Sequence, residues 1–189
     1  MTKNAPARYD QTSAPFLRVL DAVPADAWDR PSPCTDWTAA QVVSHIIETQ
    51  RDFLIRRGYD LPIEAPKTGS VANDWRTHAQ SVSYLLLEPR VEEEYDGYFG
   101  RTTVAATMAD FHGFDMVVHR WDVARAAGLD TTFTEGELDL LEASIATFGD
   151  GLHAPGVCGP PVPVAADASR QDRILGALGR DPRWSPPTS

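Results

Sequence analysis

Asp110-Phe111-His112-Gly113-Phe114-Asp115-Met116-Val117-Val118-His119-Arg120-Trp121-Asp122 is the stretch whose reading decides the fold. It lies in a helical run from about Thr103 to Ala127, and Gly128 stands where a helix of bundle length would end. Asp115 and His119 are four residues apart, so a helix sets them on one face, about 6 Å apart along its axis. A carboxylate and an imidazole one turn apart can grip one divalent ion, as paired ligands on a single helix do in zinc sites. Asp122 follows on nearly the same side, where it can accept the other N–H of a ligand imidazole. Two ligands do not make a firm site, and the third is expected at His45.

Working outward, Thr38-Ala39-Ala40-Gln41 fits a capping box, with Trp37 ahead of it as a hydrophobic staple. Val42, Val43, Ile46, Ile47, Phe53 and Leu54 follow at helical spacing, with His45 at the edge of that stripe. Before it, Phe16, Leu17, Leu20 and Val23 predict a helix over about Tyr9–Val23, starting near Ser13 or kinked at Pro15. Arg30 to Cys34 must be extended, because residues before proline avoid the α region. Gly58 to Ser70 reads as a loop, Val71 to Leu87 as a third helix, and Val91 to Gly100 as an extended crossing segment with room for a short strand. Thr134-Glu135-Gly136-Glu137 is a second capping box opening a helix with Leu138, Leu141, Ile145 and Phe148 inward. Ser169 caps a last small helix carrying Ile174, Leu175 and Leu178. The sum is all-α: four helices of bundle length, two smaller pieces and a proline-rich tail, poorly ordered beyond Trp184.

The bulk properties narrow the function. At 189 residues the chain reads as one domain, 1–189, with an ordered core of about 10–184, long enough to bury roughly 70% of its unfolded surface. A formal charge of −10 repels nucleic acid and anionic membranes, and no basic stripe offsets it. The N-terminus lacks the apolar core of a signal peptide, and no apolar run approaches a membrane span. Cys34 and Cys158 form no C-x-x-C pair, and a reducing cytoplasm is the simplest setting. Small-molecule partners are expected, and a helical bundle exposes faces wide enough for a homodimer.

Spacing alone leaves a plainer alternative open. His45 and His119 can be hydrogen-bonded bundle histidines, with Asp115 paired to Arg120 or Arg125, since D-x-x-x-H is far less specific than H-E-x-x-H. His112, three residues before Asp115, is a rival ligand or a rim residue, while His78 and His153 read as surface or loop histidines. Cys34 reads as a small buried residue, with a nucleophilic thiol as the rival reading. The tryptophans read as packing, and Glu92-Glu93-Glu94 as a solvated loop.

Three segments in order carry a family resemblance. Pro31-Ser32-Pro33-Cys34-Thr35-Asp36-Trp37-Thr38 with Val42-Val43-Ser44-His45, then Asp115 through Gly128, then Ala168-Ser169 through Trp184, resemble the actinobacterial mycothiol-dependent maleylpyruvate isomerase-like proteins and their short metal-binding branch. The resemblance implies a DinB-like four-helix bundle with a divalent metal on His45, Asp115 and His119. Zinc suits that set best, and nickel, iron, manganese or cobalt would also accept it. It further implies a thiol S-transferase or isomerase that works with a low-molecular-weight thiol such as mycothiol on a small electrophile; on the reading of the residues themselves, Asp122 orients His119 and His112 or Arg125 stands at the substrate rim. A metal-dependent hydrolase and a non-catalytic metal- or ligand-binding protein are the alternatives. Two departures stand out: Asp115 occupies the place of the isomerase's glutamate, and only the short helix around Ile174 follows the bundle.

Overall fold

The computed structural model describes residues 4–61, 67–154 and 156–187. Helix α1 spans Ala5–Ala22, α2 Ala39–Arg56, α3 Val71–Leu85, α4 Val104–Ala127, α5 Glu135–Phe148 and α6 Arg170–Ala177. Strands β1, Glu94–Gly97, and β2, Gly100–Thr103, form an antiparallel hairpin. The fold is the expected helical bundle with a small extended piece.

Two starts and one stop follow the sequence closely. Thr38 and Gln41 close a capping box at α2, and Thr134 and Glu137 close another at α5, each exchanging side-chain and backbone hydrogen bonds. Gly128 ends α4 in the left-handed region at φ 72°. Other elements differ from expectation. Helix α1 begins at Ala5, well before Ser13, and carries Pro15 in its interior. Pro6 in its first turn supplies the start, and burial of Tyr9, Phe16 and Leu20 holds the segment helical despite the donor that Pro15 lacks. The stretch Val91–Gly100 holds the short strand for which the sequence left room, but it does not cross the bundle as one extended segment. A 3₁₀ turn at Pro89–Glu92 precedes β1, and the chain reverses at Tyr98-Phe99. Of the expected loop Gly58–Ser70, residues 62–66 lie outside the described part.

Helix α4 is the axis of the molecule, with 18 of its 24 residues buried, so it is apolar nearly all round. Its Met108, Met116 and Val123 join a core with α1, α2 and α3, built on Tyr9, Phe16, Ile46, Leu54, Trp75 and Val82. Its Phe114, Val117, Val118 and Trp121 join a second core with α5 and α6. Thr103 ends β2 and caps α4, its hydroxyl accepting from the Ala106 N–H at 3.0 Å, so the hairpin is fixed to the head of the central helix.

His78 is a correction: it is 1% exposed, not a surface residue. Its Nε2–H donates to Gln50 Oε1 at 3.0 Å, the oxygen that also accepts from the Tyr9 hydroxyl at 2.9 Å. Among the described residues, no helix is long and apolar enough to cross a membrane.

Candidate metal centre

Helices α2 and α4 bring His45, Asp115 and His119 together, each offering a ligand atom within 4.8 Å of the others. Asp115 Oδ1 lies 3.3 Å from His119 Nε2. Donors about 2.0–2.1 Å from a tetrahedral zinc sit about 3.3 Å apart, so this edge already has the required length. His45 and His119 face each other edge-on with ring centroids 5.4 Å apart.

The inner side of the cluster is sealed. His119 Nδ1–H donates to Asp122 Oδ2 at 2.9 Å, and Asp122 is fully buried. Arg180, just past α6, clamps that carboxylate from behind, Nη2 to Oδ2 at 2.9 Å and Nε to Oδ1 at 3.3 Å. With Nδ1–H committed to Asp122, Nε2 is the ring nitrogen that faces Asp115, and it offers a lone pair to an ion that displaces its proton. The outer side is open, since the Asp115 side chain is 24% exposed and His45 is half-buried.

The turn ahead of α2 finishes the wall. Asp36 takes the left-handed conformation at φ 69°, which Asp tolerates better than most residues. Trp37 N–H returns to the Cys34 carbonyl at 3.1 Å. That turn lays the Trp37 ring on His45 at 4.5 Å.

The electrostatics of the cluster favour positive charge. Burial opposes the charged form of His119, but Asp115 and Asp122 outweigh it and raise its pKa to about 9. Burial likewise opposes ionised Asp115, yet the histidines hold it at about 2. Burial lowers the pKa of His45, leaving it ready to donate a lone pair.

A second set, Cys34, His119 and Asp122, also converges within 4.8 Å. It suits a cation less well. Both Asp122 oxygens already carry the Arg180 guanidinium, and burial, followed by the Asp122 charge, pushes the Cys34 thiol up to about 11. A divalent ion therefore fits at His45, Asp115 and His119.

The remaining expected residues fall as follows. Asp115 pairs with His119, while Arg120 pairs with Glu137 at 2.8 Å. Arg125 is engaged by the tail, donating to the carbonyls of Trp184 at 2.6 Å and Pro182 at 3.2 Å. His112 is outside both converging sets; it is 3% exposed, and burial, ahead of other effects, lowers its pKa to about 4. Sequence reasoning missed Arg180 behind Asp122 and Trp37 against His45. The only signal for Arg180 was its place inside the third resembling segment.

Fold and donor set define a helical bundle with a candidate divalent-metal site at the seam of α2 and α4. The chain belongs to the family of the mycothiol maleylpyruvate isomerase N-terminal domain, a DinB-like helical family whose description matches residues 9–124. His45, Asp115, His119 and Asp122 lie inside that span, and Arg180 lies beyond it. The chain is also similar to two uncharacterised proteins of Mycobacterium tuberculosis, from two strains. Each is 24% identical over 181 residues, covering 89% of this chain and 93% of the relative. No solved structure matches the chain.

Proposed function

We propose that the protein is a metal-dependent enzyme of the thiol-transferase or isomerase type, acting with a low-molecular-weight thiol such as mycothiol on a small electrophile. The observation that carries this reading is the convergence of His45, Asp115 and His119, sealed behind by Asp122 and Arg180 and open in front. Membership in a mycothiol-related family supports the choice of co-substrate.

Two nitrogens and one carboxylate oxygen would hold a divalent ion, zinc by preference, with coordination left for a guest. When bound, the ion supplies positive charge that stabilises the thiolate form of a small thiol at neutral pH. The chain's own residues do the rest. Asp122 fixes the tautomer and ring plane of His119, and Arg180 fixes Asp122. Trp37 shields His45 on one side. The protein's Cys34 is a poor nucleophile while burial keeps it protonated, so the attacking sulfur comes from the co-substrate. That sulfur forms a C–S bond with its own electron pair. The electrophile then loses a leaving group with its pair; or, in an addition, the π pair moves onto the conjugated carbonyl oxygen, the resulting single bond rotates, and the returning pair expels the thiolate.

The test is turnover by the zinc-loaded chain with mycothiol, cysteine and glutathione against a panel of electrophiles that includes maleylpyruvate, alkyl halides and monochlorobimane. Conversion that needs both thiol and metal, and vanishes in His45→Ala, is the expected result. Absence of any thiol-dependent conversion across the panel overturns the reading. Thiol-independent hydrolysis would replace it with the hydrolase alternative.

A further inference from the structure

A cavity of about 920 Å³ opens beside the metal centre, between α2, the hairpin, α4 and α5. It begins one helical turn from the proposed ligands, at Thr49 beyond His45 on α2 and at His112 before Asp115 on α4. Its volume falls within the roughly 300–1,000 Å³ of small-molecule sites.

The wall is a relay of flat rings. Phe99 stacks on Phe148 at 4.7 Å, Phe111 meets Phe148 at 5.8 Å and His112 at 5.3 Å, and Phe53 closes on the far side of His112 at 5.3 Å. Phe99 comes from the two-residue turn of the hairpin, where small or polar residues are favoured and Tyr98-Phe99 stands instead. Phe99 and Tyr98 remain 41% and 83% exposed. A turn that breaks its local chemistry to place aromatic rings at a cavity mouth points to a function beyond folding. At the inner end, His112 is almost fully buried, and its Nδ1 has no hydrogen-bond partner among the described residues.

Among the described residues, the charges lining the cavity leave one cation without a carboxylate. Arg56 is paired with Asp52, Asp110 with Arg8, and Arg101 with Glu94. Arg57 has no carboxylate partner among the described residues; its guanidinium lies 3.4 Å from the centre of the Tyr95 ring. Tyr95 is held in turn by its hydroxyl, 2.6 Å from Thr107 Oγ1 on α4. Arg57 is exposed, and its guanidinium, seated flat on the Tyr95 ring, keeps its hydrogen-bond donors available to an anion at the cavity rim.

We propose that this cavity binds a small, flat aromatic acid, an arene carboxylate, with the acid group on Arg57, the arene body along Phe53, Phe99 and Phe148, and the opposite end toward His112. As the seat of the electrophile, this rests on the metal-and-thiol reading above; as a binding site, it does not.

The experiment is calorimetric titration of the zinc-loaded chain with 2-naphthoate and with its neutral isostere 2-naphthamide. Naphthoate should bind about tenfold more tightly. Arg57→Gln should bring the two ligands to nearly equal affinity, and Ala143→Trp, which fills the α5 wall, should abolish binding of both while zinc uptake is unchanged. Equal affinity in the native chain, or naphthoate binding that survives Ala143→Trp, overturns the proposal. His45→Ala keeps the two readings apart. Loss of zinc with naphthoate binding intact in the native chain and the variant leaves the cavity assigned whatever happens to the enzyme reading. A native chain that binds zinc but no naphthoate removes the cavity proposal alone.

Discussion

Asp122 Oδ2 accepts the Nδ1–H of His119 at 2.9 Å and the Nη2–H of Arg180 at the same distance, so one buried carboxylate ties the central helix to the far end of the chain. Removing its charge should loosen the imidazole without removing a proposed ligand. Asp122→Asn is expected to weaken zinc binding about 10- to 100-fold. Competition against a chromophoric chelator measures it, and unchanged affinity would show that Asp122 serves only the fold.

The same pair makes Arg180 a stability residue. Arg180→Met leaves the fully buried Asp122 with His119 as its remaining cationic partner, and breaking a buried pair from one side costs up to about 3–5 kcal/mol. Urea unfolding of the metal-free protein reads this. The double variant with Asp122→Asn should recover part of the loss, because the under-compensated carboxylate charge is then gone.

Two glycines with positive φ separate backbone strain from close packing. Gly128, at φ 72°, has open space where a Cβ would sit, so Gly128→Ala should cost about 1 kcal/mol from conformation alone. Gly179, at φ 75°, would place a Cβ 2.8 Å from the Gly159 carbonyl oxygen, next to Arg180. Gly179→Ala should therefore cost more in thermal unfolding and also weaken zinc binding, whereas Gly128→Ala leaves zinc binding unchanged.

His78 should make the protein acid-sensitive. Burial, then the nearby charge of Arg51, pushes its pKa down to about 3 from an ordinary 6.5. The unfolded chain takes up a proton near 6.5 and the folded chain does not, so the unfolded state binds more protons through that window. Stability from this group is complete above about pH 6.5 and is lost as the pH falls toward 3, at about 1.4 kcal/mol per pH unit. His78→Gln should flatten the dependence of unfolding free energy on pH by that slope, as measured in urea between pH 4 and 6.5.

The legible parts of this molecule were local. Thr38 with Gln41 and Thr134 with Glu137 announce helix starts because each box closes within four residues, and Gly128 announces a stop because αL favours glycine. The Asp115–His119 face follows from the pitch of one helix. What stayed hidden depends on partners distant in the chain. Gln50 buries His78 from 28 residues away, and Arg180 reaches Asp122 across 58. The hairpin escaped because its strands are four residues each and its turn carries aromatic residues where turn formers belong. Pro15 misled because tertiary burial outweighs the loss of one helical hydrogen bond.

The central claim is that one divalent ion sits on His45, Asp115 and His119 rather than on the neighbouring cluster of Cys34, His119 and Asp122. Zinc K-edge X-ray absorption of the loaded chain distinguishes the two directly. The account predicts one zinc per chain with only nitrogen and oxygen scatterers at about 2.0–2.1 Å, a signal lost in His45→Ala. A sulfur scatterer at about 2.3 Å, or no zinc retained by the native chain, would contradict it.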